Sequence, residues 1–261
     1  MNNFLTPKEI TETMVIGCNN KSKLPFGKML LLGILAGMYI GLGAYGATIA
    51  FSAGGTGMET MVAKLIGAGI FPVGLMLVVL CGAELFTGNC AMTVSVIRKE
   101  ITLGSMFRNW TIVYLANLIG GVLLAWLLFK SGLYGSEAMT AKAIGIAEAK
   151  VAIPLGAVII RGIFCNVLVV LAVWMQTGAK DVIGKIFAMW FPIMLFVFAG
   201  FEHCIANMYF LPIGYLLGAK VTISQIILNN LIPVTIGNII GGAIIIPMIY
   251  YYSYLKKEPQ K

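Results

Sequence analysis

Charge is what this chain has least of. Asp and Glu together number 10, Lys and Arg 18, and there is a single histidine in 261 residues. A charged fraction of 11%, against roughly 25% in soluble domains, excludes an ordinary soluble fold. An apolar fraction of 59% and a mean hydropathy of +0.94 point instead to a polytopic membrane protein in a lipid bilayer. The five cysteines, Cys18, Cys81, Cys90, Cys165 and Cys204, form no CxxC pair. With one histidine, that excludes a zinc site or a disulfide scaffold, which need clustered ligands; no metal and no cofactor is expected. There is no phosphate-binding glycine loop or nucleotide motif, so primary active transport by this chain alone is not expected. No short cationic leader with a cleavage site precedes the first apolar run, so no removed signal peptide is expected. The net charge of +8 does not read as a nucleic-acid footprint, because the basic residues sit mostly at the ends of apolar runs.

What is abundant is long apolar sequence. Spans are expected at about 29–51, 64–97, 109–129, 151–177, 186–219 and 224–254. Two of these are too long for one straight crossing. The 34 residues from Ile186 to Ala219 contain one carboxylate and one histidine, adjacent at Glu202-His203. As a single helix that run would be roughly 50 Å long, against a hydrocarbon core of roughly 30 Å, so a break is expected at the polar pair. The 33 residues from Leu65 to Ile97 hold one charged residue, Glu84. Both runs read Glu, four residues, Asn: Glu84 to Asn89 and Glu202 to Asn207.

These likenesses extend further. Phe71-Pro72 is matched by Phe191-Pro192, and Asn109-x3-Val113-x3-Asn117-Leu-Ile-Gly-Gly by Asn230-x3-Val234-x3-Asn238-Ile-Ile-Gly-Gly. The offset is 118 residues for the glutamates and 121 for the asparagines, which reads as an internal repeat. Three spans per repeat is odd, so the second copy enters from the opposite side and the repeat is inverted. The expected fold is an all-α integral membrane protein of six transmembrane helices in two inverted three-helix repeats, with helices 2 and 5 broken and facing each other across a pore. Residues 1–28 form a terminal segment with an interfacial helix beginning at Thr6-Pro7-Lys8-Glu9. Residues 29–255 form one domain, with repeat one at about 29–130 and repeat two at about 151–255, and 256–261 form a tail. Twelve of the 18 basic residues fall on the side of the two termini and five (Lys64, Lys130, Lys142, Lys150 and Lys220) on the other. By the positive-inside rule both termini are cytoplasmic and the membrane is that of the cell.

An ionisable side chain inside a span is costly and marks a solute pathway more often than an accident. His203 is therefore the centre of the expected site, hydrogen bonding to a small solute with or without proton exchange. Thr87, the hydroxyl of the first break, is expected opposite it. Glu84 and Glu202 are expected to satisfy backbone amides of the two breaks, and Asn89 and Asn207 to tie their loops. Lys150 is expected at the outer mouth of span 4, where a cation concentrates anions. Arg161, deeper in that span, is expected to face protein or a subunit interface. The paired Asn-Pro-Ala loops of water and glycerol channels are absent. A membrane enzyme using Glu202 and His203 as an acid/base pair lacks a second histidine, a metal cluster or a soluble domain, so no enzyme is expected.

Glu84-Leu-Phe-Thr-Gly-Asn89, Gly200-Phe-Glu-His-Cys-Ile-Ala-Asn-Met208, Cys165-Asn166-x7-Trp174 and Asn230-Leu-Ile-Pro-Val-Thr-Ile-Gly-Asn-Ile-Ile-Gly-Gly242 together resemble the formate/nitrite transporter family, over about residues 25–255. The resemblance implies an aquaporin-like protomer, a homopentamer with one pore per protomer, and small monovalent anions of weak acids (formate, nitrite or hydrosulfide) as substrates. The anion is expected to pick up a proton near the central histidine, from His203 or from vestibule water, and to cross neutral. It places the family's central histidine on His203, its loop threonine on Thr87, its vestibule lysine on Lys150 and its pathway asparagine on Asn166. It implies two apolar constrictions drawn from Phe71, Leu75, Leu85, Val169 and Phe196. Cys204, after the histidine, carries no inference about substrate.

Overall fold

The structure, a computed structural model, describes residues 4–256. The tail expected at 256–261 lies, beyond Lys256, outside the described residues. The helices are α1 (Pro7–Ser22), α2 (Phe26–Ser52), α3 (Met58–Leu80), α4 (Phe86–Ile97), α5 (Leu103–Lys130), α6 (Glu137–Val151), α7 (Leu155–Gly178), α8 (Val182–Ala199), α9 (Cys204–Leu216) and α10 (Ile223–Leu255). Among the described residues six are long and apolar enough to cross a membrane: α2, α3, α5, α7, α8 and α10. The short α4 and α9 complete the broken spans, which gives the inverted three-span repeats.

Local chemistry explains where the helices begin and stop. Thr6 caps α1 in a reciprocal box: its hydroxyl accepts from the Glu9 amide (3.4 Å), and the Glu9 carboxylate accepts from the Thr6 amide (2.7 Å). Asp181 caps α8 by accepting from the Gly184 amide at 2.7 Å. Gly200 ends that helix with φ of 77°, a left-handed conformation that a side chain would strain. α3 kinks at Phe71-Pro72, where proline has no amide to donate, and the Trp190 indole of α8 donates to the nearby Gly69 carbonyl at 2.8 Å. α10 contains three π-helical stretches, the first over Ile226–Leu231. Such stretches often mark functional sites, and this one carries Asn230.

Two features exceed the sequence reading. The expected interfacial helix, α1, is tied to the spans: Leu5 donates its amide to the Gly178 carbonyl (3.0 Å), Trp174 donates its indole N–H to Thr11 (3.4 Å) and Ser95 its hydroxyl to the Val15 carbonyl (3.2 Å). The connection after residue 130 contains a second such helix, α6, capped by Ser136. α1 and α6 stand in matching places ahead of the first span of each repeat.

The spans approach closely where side chains are missing. Gly33 and Gly37 of α2 face Ala116, Asn117 and Gly121 of α5, Gly120 of α5 faces the Ile34 carbonyl, and a Cβ at Gly37 would land on the Asn117 carbonyl. Gly162 of α7 faces Gly237 of α10 in the same way.

Candidate functional site

Each break is held by the same set of side chains. In the first, Glu84 accepts from the Lys21 ammonium (2.6 Å) and from the Asn89 amide (2.7 Å). Asn89 also donates to Asn109 Oδ1 (2.8 Å), and Asn109 donates to the Lys21 carbonyl (3.2 Å). Asn117 accepts from the Phe86 amide (3.0 Å) and donates to the Gly33 and Glu84 carbonyls (2.7 and 2.9 Å). In the second, Lys150 donates to both oxygens of Glu202 (2.8 and 2.9 Å), and Asn207 donates to Glu202 and to Asn230, each at 2.7 Å. Asn230 donates to the Lys150 carbonyl (3.1 Å). Asn238 accepts from the Cys204 amide (2.9 Å) and donates to the Gly162 and Glu202 carbonyls (2.8 and 3.0 Å). Non-helical backbone at membrane depth must be satisfied by protein, and these asparagines do that.

This corrects two expectations. The glutamate carboxylates do not accept from the backbone amides of the breaks; Asn117 and Asn238 do, because each lies beside the first amide of a half-helix. Lys150 is not an open cation at the mouth of span 4. It lies in the last turn of α6 and is bound to Glu202. Its counterpart Lys21 was missed from sequence. The lysines, like Gly33 and Gly162, are 129 positions apart, whereas the glutamates are 118 apart. An 11-residue difference in length between the repeats hides the match from a search at constant offset.

The half-helices meet N-terminus to N-terminus. His203 is the residue before α9, and its Nδ1 accepts from the Ala206 amide at 3.1 Å. A neutral imidazole carries one proton, so Nε2 holds it and donates to the Thr87 hydroxyl in the first turn of α4, at 2.9 Å. The Thr87 hydroxyl keeps its own hydrogen for another acceptor. Both half-helices aim their partially positive ends at this contact.

Three cavities among the described residues bear on the site. A cavity of about 310 Å³ on the side opposite the termini is walled by α3, α6, α8 and α9. One of about 380 Å³ on the terminal side is walled by α1, α3, α4 and α7 and by residues 82–85. Between them lies a chamber of about 10 Å³, room for about one water at most, lined by Phe71, Leu75, Leu85, Val169, Phe196 and His203, with Ile40 and Ile193. Phe71 and Phe196 also wall the first vestibule and meet edge to face at 5.4 Å, while Leu75 and Leu85 also wall the second. The five residues named for constrictions therefore surround one chamber.

Other named residues lie elsewhere. Asn166 is fully buried and lines none of these cavities; it donates to the Asn238 carbonyl at 2.7 Å, in space left by Gly242, so it joins α7 to α10 rather than forming pore wall. Thr87 is fully buried and reaches the chamber only through His203. Arg161 is exposed on the outer face of α7, and its carbonyl accepts from the Glu202 amide at 3.3 Å.

Asn238→Ala should orphan the Cys204 amide and two carbonyls in the break. Each unsatisfied buried group costs about 1–3 kcal/mol, so the detergent-solubilised protein should unfold several degrees lower. An unchanged midpoint would mean that water replaces the amide.

Two inverted repeats whose half-helices meet between opposed vestibules define a membrane transport protein of the channel type. The chain belongs to the formate/nitrite transporter family: the model described as "Formate/nitrite transporter" matches residues 8–252. A Methanothermobacter thermautotrophicus protein described as "Probable formate transporter" is 40% identical across 97% of this chain and 98% of its own length. Formate channel FocA of Escherichia coli strain K12 is 35% identical across 88% of each chain. The solved structure of a pentameric formate channel with formate bound superposes with a TM-score of 0.78 at 34% identity, covering 88% of this chain and 98% of that one.

Proposed function

We propose that this protein is a formate channel, open also to nitrite and hydrosulfide, that works as a homopentamer in the cell membrane with both termini in the cytoplasm. The observation that carries the reading is the apolar chamber between two vestibules, with the His203–Thr87 contact at its edge. A monovalent anion entering so small a chamber must shed its water, at several kcal/mol even after relaxation. The half-helix ends offset part of that cost. The aromatic and aliphatic walls favour the neutral acid over its anion. The anion gathers in a vestibule, takes a proton from vestibule water, crosses as the acid and releases the proton on the far side. Water is the better proton source because the one ring proton of His203 is already given to Thr87.

The test is uptake into proteoliposomes of formate, nitrite, hydrosulfide and glycerol at two external pH values. Wild type should pass formate faster at the lower pH and exclude glycerol. His203→Ala should lose at least about tenfold of the formate flux, the equivalent of about 1.4 kcal/mol. Unchanged flux and selectivity in the variant would leave His203 a helix cap only; glycerol flux without formate flux would overturn the reading.

A further inference from the structure

The two vestibules are charged differently, and not at the residues named for that role. The walls of the terminal-side vestibule carry one lysine and one glutamate, Lys21 and Glu84, which are paired. The walls of the opposite vestibule carry three lysines, Lys64, Lys142 and Lys150, against one glutamate, Glu202. Glu202 is taken: both its oxygens accept from Lys150. Lys64 and Lys142 come from different helices, α3 and α6. Neither has a carboxylate partner among the described residues, where the ion pairs are Lys21–Glu84, Arg98–Glu100 and Lys150–Glu202. The Lys64 ammonium instead stands 5.3 Å over the Phe198 ring, a contact that holds a cation without cancelling its charge.

Neighbouring acids do not line this cavity. Glu59, one turn before Lys64 on α3, lies over Gly55. Glu148, on α6, accepts the Lys220 backbone amide at 2.8 Å. Apart from the Lys150–Glu202 pair, Thr60, His203 and Asn207, the remaining wall is apolar and includes the Phe71–Phe196 pair. Two uncompensated cations in one cleft with low-dielectric walls focus their field into it and raise the local concentration of small anions.

We propose that Lys64 and Lys142 form an anion-capture site in the vestibule opposite the termini, distinct from the Lys150–Glu202 pair, and that this vestibule is the stronger of the two at gathering substrate. The ligand class is a small monovalent oxyanion or carboxylate held by charge, still hydrated, outside the phenylalanine pair. The inference rests on the channel reading for its physiological meaning, but the charge asymmetry is open to test without transport. Lys150 then serves as a tie between α6 and the second break, and its charge adds little to capture.

The test uses the purified full chain in liposomes, in a Cys81→Ala background that removes the exposed thiol. Single reporters at Thr60→Cys, in the charged vestibule, or Thr13→Cys, in the other, react with an anionic and a cationic methanethiosulfonate reagent at low and physiological ionic strength. At low salt the anionic-to-cationic rate ratio at position 60 should exceed that at position 13 and fall roughly tenfold in Lys64→Gln/Lys142→Gln. Lys64→Arg/Lys142→Arg should keep it, and the difference should shrink as the screening length falls from about 30 Å to about 8 Å. The same double glutamine variant should raise half-saturating formate at that face roughly fivefold at low salt. Equal ratios at the two reporters, or a ratio unmoved by the glutamines, overturns the capture site even if formate is transported. A ratio that falls as expected in a protein that passes no formate upholds the site and removes the channel reading instead.

Discussion

Glu202→Gln should destabilise the protein far more than Glu84→Gln, although the two glutamates occupy matching places. Both variants leave a lysine without its carboxylate and alter the acceptor for an asparagine amide. The difference lies in where the lysine can go. The side chains of Lys150 and Glu202 are 16% and 5% exposed, so Lys150, although it borders the vestibule, stays largely out of water, and breaking such a pair costs up to about 3–5 kcal/mol. Lys21 is 34% exposed, so water can replace Glu84, and the loss should be about 1 kcal/mol or less. Unfolding midpoints of the two variants in one detergent decide the matter; equal shifts would mean that both pairs are hydrated alike. Lys150→Met combined with Glu202→Leu should recover part of the loss, because no charge is then left buried alone. The pair would in that case be shown to be a tie that the fold can replace, with transport as a separate readout.

Phe71→Ala combined with Phe196→Ala should turn a selective pore into a leaky one. The two rings meet edge to face at the floor of the charged vestibule and form part of the chamber wall. Their removal joins the 310 Å³ vestibule to a chamber that now holds about one water at most. A hydrophobic constriction excludes ions and polar solutes because they cannot keep their water inside it. Once the chamber is wet, glycerol flux should rise by at least about tenfold, the equivalent of about 1.4 kcal/mol off its barrier. Formate flux should lose its dependence on external pH, since the hydrated anion then passes directly. Glycerol exclusion that survives both substitutions would place the selective barrier elsewhere, at Leu75 and Leu85. Because the vacated volume is at a cavity rather than in the packed interior, stability should fall less than in an ordinary core truncation.

Much of the architecture was legible from composition and period alone. Long uncharged runs have few physical solutions in lipid, since every backbone group must be satisfied within the chain. Runs of 33 and 34 residues, each with one polar cluster, could only be bent or broken, and the cluster marks the place. The single histidine stood out for the same reason: its transfer from water needs a purpose.

Partnership was not legible. The sequence shows that Glu84, Asn89, Glu202 and Asn207 recur, and does not show that the backbone amides go to Asn117 and Asn238, contributed by spans 31 and 34 residues away. The match between Lys21 and Lys150 was hidden by a length difference spread over a loop and two spans. Asn166, assigned to the pathway by its motif, turns to a neighbouring backbone because Gly242 leaves it room.

Sequence by itself determined the membrane, the number of crossings, the inverted repeat and the residues where the long spans give way, because hydrophobic burial and helix length act locally along the chain. Only the tertiary structure decided which cations are neutralised and which face a cavity, because charge compensation depends on distances between helices that are remote in sequence. That is why Lys150, the lysine singled out by motif, is bound to a carboxylate, while Lys64 and Lys142 are left facing the vestibule.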